Sequence, residues 1–271
     1  MNQPLPYTQP VPDPLLAIAA GALVGAFVGL TGVGGGAIMT PILVLGFGID
    51  PVVAIATDLL FASIVKIAAG TVHFRGQHVD MQVVRRLWLG SIPACIVVGS
   101  VLAISIEPDE KRFVVRVMGA LIMISGLSML LGHLVQKLST AKRLADPERF
   151  KRPQAALTVA AGALLGSVIA ATSIGAGAIG AVLLRALYPL RMTPIRLVAT
   201  DTVFAIPVAL VAGGSFAVQG RTDWSLLWML LVGALPLAIV CSMLAARLDA
   251  RWLKSIVGLT LLGIAIKMLV A

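Results

Sequence analysis

Charge is scarce in this sequence. Asp, Glu, Lys and Arg make up only 12% of the 271 residues, where a soluble domain carries roughly a quarter. No long polar interval compensates. The longest, Gln136 to Pro153, falls well short of the roughly 50 residues at which independent domains begin, so a soluble catalytic domain is excluded and the chain is not expected to be an enzyme. Cysteine is limited to Cys95 and Cys241, both in apolar runs with no CxxC and no histidine at metal-ligand spacing, which reads as packing rather than disulfide or metal chemistry. No glycine cluster is followed by Gly-Lys-Ser/Thr, so nucleotide phosphate binding has no motif, and no cofactor is expected. Lys and Arg are missing from Met1 to Pro14, while Pro4, Pro6, Pro10, Pro12 and Pro14 are present. That composition suits a short extended extracytoplasmic tail, residues 1–14, rather than the basic start of a signal peptide.

What is present is apolar: 59% of the residues, with a mean hydropathy of +1.00. Apolar stretches follow one another from Leu15 to Ala271, and a transmembrane helix needs ~20 such residues. The chain therefore reads as an all-α polytopic membrane protein. The formal charge of +9 would suggest nucleic acid in a soluble protein, but in a membrane protein Lys and Arg mark cytoplasmic loops; no nucleic-acid partner is expected.

The sequence repeats itself. Gly21-Ala22-Leu23-Val24-Gly25 is echoed by Gly162-Ala163-Leu164-Leu165-Gly166. Thr31-Gly32-Val33-Gly34-Gly35-Gly36-Ala37-Ile38 aligns with Thr172-Ser173-Ile174-Gly175-Ala176-Gly177-Ala178-Ile179, and after two inserted residues Ala56-Thr57-Asp58 aligns with Ala199-Thr200-Asp201. Asp80, Gly90 and Pro93 meet Asp223, Gly233 and Pro236 in the same register. The division is repeat 1 over 15–135, a basic cytoplasmic linker over 136–154, and repeat 2 over 155–271.

Each repeat opens with an apolar stretch, Leu15 to Phe47 or Ala155 to Tyr188, broken near its middle by glycines. The stretch is long for one crossing and short for two, so a helical hairpin broken at the glycines fits it, and whether the hairpin crosses fully stays open. Three spans follow in each half: Val52 to Val72, Val83 to Ser105 and Phe113 to Val135, then Leu197 to Val218, Ser225 to Ala246 and Leu253 to Val270. If each hairpin returns to its starting side, the basic residues flanking the spans divide fifteen inside to five outside; if each opening segment crosses once, they divide eleven to nine. The positive-inside rule favours the hairpins. The two repeats are then inverted relative to each other, an arrangement that recurs in secondary transporters with the substrate site near the midplane.

Half-helices beginning near Gly36 and Gly177 would present free N–H groups and positive dipole ends to an anion. The expected substrate-binding set is Thr31, Gly34, Gly35, Gly36 and Thr57 from the first half, with Thr172, Ser173, Gly175, Gly177 and Thr200 from the second. Asp58 and Asp201 are the sharper signal. Each sits inside an apolar span, where an ionised carboxylate costs ~2.5–3.5 kcal/mol or more. They read as a proton- or ion-coupling pair, or as carboxylates tied to their own hairpins by hydrogen bonds to backbone N–H groups. Lys66 lies two turns from Asp58 on the same helix, ~12 Å away at 1.5 Å per residue. It reads either as balancing substrate charge or as snorkelling toward the inner surface, and its counterpart is Ala209. Asp80 and Asp223 stand where helix N-caps would. His73 and His78 flank Arg75 in a loop, Pro93 and Pro236 would kink their helices, and Trp88, Trp224, Trp228 and Trp252 fall near span ends as interfacial anchors.

These residues together resemble the sulfite exporter TauE/SafE family of bacterial membrane proteins: the repeated glycine-rich hairpin, Ala56-Thr57-Asp58-Leu59-Leu60 followed by Lys66, Val72-His73-Phe74-Arg75-Gly76 running to Val79-Asp80, and Gly175-Ala176-Gly177-Ala178 followed by Ala199-Thr200-Asp201. The likeness runs from Leu15 onward. It implies a bacterial inner-membrane carrier of small sulfur-containing anions such as sulfite and organosulfonates, often an exporter. Many members carry serine where this chain has Asp58 and Asp201. The expectation is a secondary transporter of a small anion, possible partners being that anion and the lipid bilayer, with Asp58 or Asp201 carrying a proton. The alternatives are a cation carrier using the same two aspartates as ligands, and a non-transporting membrane scaffold.

Overall fold

The computed structural model describes residues 13–31, 36–73, 79–105, 111–145, 153–174, 177–245 and 250–270. These residues are helical almost throughout, with no strand among them. Ten α-helices follow in order: α1 (Pro14–Thr31), α2 (Gly36–Pro41), α3 (Pro51–His73), α4 (Met81–Ser105), α5 (Lys111–Ala145), α6 (Gln154–Thr172), α7 (Ala178–Leu187), α8 (Pro194–Val218), α9 (Trp224–Ala245) and α10 (Ala250–Val270). A π-helical turn, Ile42–Gly46, extends α2.

Helix starts are written into the sequence. Asp13-Pro14, Asp50-Pro51 and Thr193-Pro194 each put a capping oxygen directly before a proline at the first helical position, where the missing N–H costs nothing. The caps are made: Asp13 accepts from Leu15 N–H at 3.0 Å, Asp50 from Val52 N–H at 2.9 Å, and Thr193 from Arg196 N–H at 3.4 Å. Asp80 and Asp223 cap α4 and α9 as expected, accepting from Val83 and Leu226 N–H.

Among the described residues six helices are long and apolar enough to cross a membrane: α1, α3, α4, α6, α8 and α9. The apolar span of α3 is 83% buried, against 39–44% for the other five. The molecule is therefore built around α3, and the outward faces of its neighbours carry large apolar side chains such as Leu89, Trp228, Val232 and Met243, which suits lipid and not water. The broken opening segments appear at both expected places, α1 then α2 from Gly36, and α6 then α7 with Gly177 at its N-cap. The chain between Gln136 and Ala145, expected as linker, continues α5 as helix. Pro93 and Pro236 lie inside α4 and α9, which run through them.

Glycines decide how the helices meet. A Cβ at Gly21 or Gly25 would stand 2.1 or 2.4 Å from the carbonyl oxygens of Leu230 and Ala234 on α9. On the other side of the molecule, a Cβ at Gly162 or Gly166 would stand 2.3 Å from the carbonyl oxygens of Leu87 and Ser91 on α4. The fit is reciprocal, because Gly90 of α4 lies on Val159 of α6 and Gly233 of α9 lies on Ile18 of α1. Only hydrogen fits at such distances, and small residues four apart are how membrane helices bring their backbones together. The opening helix of each half thus packs against the fourth helix's counterpart in the other: α1 on α9, α6 on α4. The central pair, α3 and α8, pack on each other.

Candidate functional site

The acids of the two central helices lie where the glycine breaks meet α3 and α8. Asp201, on α8, is tied down on both oxygens. Its Oδ1 accepts from Gly177 N–H at 3.1 Å and its Oδ2 from Lys66 Nζ at 3.3 Å. The first bond caps the start of α7 from the side, answering an N–H that the broken helix leaves open. The second is an ion pair between halves. Lys66 is only 3% exposed, so it does not snorkel: its ammonium turns inward because the carboxylate 135 residues later waits there. Isolated, either charge would be costly in this setting; together they are neutral.

Asp58, on α3, sits in different company. Its Oδ2 accepts a hydrogen bond from the Thr40 hydroxyl of α2. The Ser173 side chain approaches the carboxyl from the second half, yet Ser173 Oγ and Asp58 Oδ1 are both buried without a hydrogen bond of regular geometry. Ser173 also holds the left-handed conformation, φ 58°, as the C-cap of α6, and is the one non-glycine residue with positive φ among those described. Thr40 was not singled out by the sequence, because its counterpart, Ala181, offers no recurring signal.

The threonines expected to bind substrate have other partners. Thr31 and Thr172 donate their hydroxyls to the carbonyls of Phe27 and Val168, one turn back, at 2.7 Å each, and Thr172 Oγ1 also accepts from Ile174 N–H. Thr57 Oγ1 accepts from Asp223 N–H at 3.2 Å, and Thr200 Oγ1 from Asp80 N–H at 3.1 Å. Both are fully buried, so each central helix is stitched to the start of a fourth or ninth helix across the halves. Of the expected hydroxyls, Ser173 is the one whose oxygen has no regular partner. Gly36 begins α2 and Gly177 has φ 111°; Gly34, Gly35 and Gly175 lie outside the described residues, as do Arg75 and His78.

A second ionic contact joins the halves at the start of α4. Arg191, in the turn between α7 and α8, pairs through Nε with the buried Asp80 carboxylate, donates from Nη2 to its Oδ1 at 2.9 Å, and reaches Gln82 Oε1 with Nη1 at 3.1 Å. Nearby, Arg86 donates to the Tyr188 hydroxyl at 3.3 Å, which is 2.8 Å from Thr158 Oγ1. Trp88 is an internal strut as much as an anchor, donating from Nε1 to Phe204 O at 3.1 Å, whereas Trp224 and Trp228 are exposed.

In a polytopic helical membrane protein buried ionisable groups mark functional pathways, and two ionic contacts, Lys66–Asp201 and Arg191–Asp80, join the halves here. The chain matches the sulfite exporter TauE/SafE family over residues 17–268, and it belongs to that family. It is 31% identical over 255 residues to the probable membrane transporter protein YjnA of Bacillus subtilis (strain 168), covering 93% of this chain and 98% of that protein. A probable membrane transporter protein of Xylella fastidiosa (strain Temecula1) is 26% identical over 259 residues, 93% of each chain. No solved structure matches. The protein is a multi-pass bacterial membrane transporter of this family.

Proposed function

We propose that the protein exports a small anion, sulfite or an organosulfonate, across the inner membrane, and that Asp58 or Asp201 carries a proton that offsets the charge. The observation that carries this reading is a pair of buried acids at equivalent positions of the repeat, Asp201 bound to Lys66 of the other half and Asp58 approached by Ser173 of the other half. The family's description names sulfite export. The half-helix starts at Gly36 and after Gly177, whose own N–H is held by Asp201, offer N–H groups, Ser173 a hydroxyl, and Lys66 the remaining donors of its ammonium, the chemistry an oxyanion needs. In this reading Thr31, Thr57, Thr172 and Thr200 shape the site through their bonds to neighbouring backbone, and Gly34, Gly35 and Gly175 stay with the substrate-binding set on sequence alone.

The two halves act as inverted repeats, one rocking against the other about a site near the midplane. Contacts that come in exchanged pairs support this: α1 on α9 with α6 on α4, and Thr57 to Asp223 with Thr200 to Asp80. The cation alternative, with Asp58 and Asp201 as joint ligands, meets an ammonium already seated on Asp201, and no cluster of three His, Cys, Asp or Glu forms among the described residues. A closed scaffold has no use for the bare buried oxygen of Asp58.

The test is flux. Proteoliposomes holding the full chain are expected to move sulfite or a sulfonate at a rate that depends on the pH difference, and the double variant Asp58→Asn, Asp201→Asn to lose that dependence. Flux that stays pH-driven in the double variant would remove the proton role, and metal-dependent thermal stabilisation lost in the same variant would favour the cation carrier.

A further inference from the structure

Asp58 and Asp201 occupy equivalent positions in the repeat, but their surroundings are not equivalent. Asp201 has a cation on one oxygen and a backbone N–H on the other. Asp58 has the neutral Thr40 hydroxyl on one oxygen, no hydrogen bond of regular geometry on the other, where the Ser173 side chain approaches, and is fully buried. No cation reaches Asp58 from the position equivalent to Lys66, because Ala209 stands there.

Among the described residues, the elements packed on α3 place no cation on Asp58. Helices α1, α2, α6 and α9 and the π-helical turn contain no acidic or basic side chain. Helix α8 contributes Asp201 and, in its first turn, Arg196. Helix α5 carries Lys111, Arg112 and Arg116 near one end and His133, Lys137, Lys142 and Arg143 toward the other, and α3 itself adds Lys66 and terminates at His73. Lys66 is committed to Asp201.

Ser173 supplies an independent observation. The repeat gives Gly32 at the equivalent position, and glycine takes positive φ without penalty, whereas serine at φ 58° is held against its preference. Its hydroxyl is buried beside the Asp58 carboxyl, without a hydrogen bond of regular geometry. A strained serine in place of glycine makes sense where the hydroxyl itself is used.

We infer that the two acids have different tasks: Asp201 serves as half of a fixed pair with Lys66, and Asp58 is the one of the two that takes up and releases a proton, in partnership with Ser173. On uptake, a proton from water joins Asp58 Oδ1, giving a neutral carboxylic acid whose O–H donates to Ser173 Oγ. On release, the proton returns to water and the Ser173 O–H turns to donate to the carboxylate. Both states satisfy the two buried oxygens, and no net charge is left unpaired in the acid form. This rests on the proton-coupled reading above and narrows it to one residue.

Infrared difference spectroscopy of the purified full chain across a pH step reads protonated carboxyl groups directly and needs no substrate. The expected spectrum contains a carboxylic-acid C=O component that is lost in Asp58→Asn and kept in the charge-balanced double variant Lys66→Met, Asp201→Asn. Ser173→Gly, which relieves the backbone and removes the hydroxyl, should keep or raise the melting temperature while moving that component; Ser173→Ala should move it too. A component that survives Asp58→Asn, or one that disappears with Asp201, or one indifferent to both serine variants would overturn the assignment. Flux measured in parallel separates the two claims. A titrating Asp58 in a protein that moves neither sulfite nor sulfonate fails the anion reading alone, and pH-driven sulfite flux with a silent Asp58 fails this inference alone.

Discussion

Lys66 shows how a side chain's meaning depends on a partner its own helix does not contain. From sequence, its neighbour is Asp58, two turns away; in space, it is Asp201 on α8. Removing one member of a buried pair leaves an uncompensated charge, at a cost of about 3–5 kcal/mol. Lys66→Met alone is therefore expected to lower the thermal stability of the detergent-solubilised protein sharply, and adding Asp201→Asn to recover most of it, since the amide still accepts from Gly177 N–H. A double variant no better than the single would mean that the pair does not hold the two helices together. Thr40→Val is the milder counterpart. It deletes the one hydroxyl on Asp58 Oδ2, and polar contacts between membrane helices average ~0.6 kcal/mol, so a melting shift of a few degrees at most is expected.

Packing between helices puts opposite signs on substitutions that look alike. Gly25→Ala would drive a methyl to 2.4 Å from Ala234 O, a backbone atom that cannot step aside, while Gly214 of α8 has nothing within 4 Å of where its Cβ would be. Overpacking costs ~1–3 kcal/mol, and replacing an open helical glycine by alanine gains ~0.5–1 kcal/mol. Thermal unfolding should rank Gly214→Ala above the parent and Gly25→Ala below it. Much at this level was legible beforehand. The broken segments, helix starts and recurring acids all leave marks within a few residues of themselves: glycines in series, Asp-Pro and Thr-Pro pairs, a carboxylate amid apolar neighbours. Thr40 and Arg191 leave no such mark. Thr40 has no echo in the second half, and Arg191 meets Asp80 across 111 residues, standing in sequence between Arg185 and Arg196 with nothing to set it apart from them. The extension of α5 to Ala145 went unread because its last turns are polar enough to pass for a loop.

At the scale of the whole molecule, the contacts between the halves among the described residues include glycine-mediated backbone packing, the buried groups around Asp58 and Asp201, the Thr57–Asp223 and Thr200–Asp80 hydrogen bonds, and the Arg191–Asp80 contact with its half-exposed guanidinium. The last is the one salt can reach, because screening acts on charges in contact with water. Arg191→Gln is expected to destabilise the protein at low ionic strength and progressively less as salt is added, in melting curves compared with the parent. A loss independent of salt would place the contribution of Arg191 in packing instead of charge. The exchange of opening helices between halves also bears on how the protein is made. The face of α1 lined by Gly21 and Gly25 meets its partner only at Leu230 and Ala234, roughly 200 residues downstream, which at ~5–20 residues per second is on the order of 10–40 s of synthesis. Until then α1 must wait in the bilayer with its polar backbone groove covered by lipid or by an insertion factor. A chain interrupted anywhere before α9 would be left with that groove open, a mark by which quality control could tell an unfinished copy from a complete one.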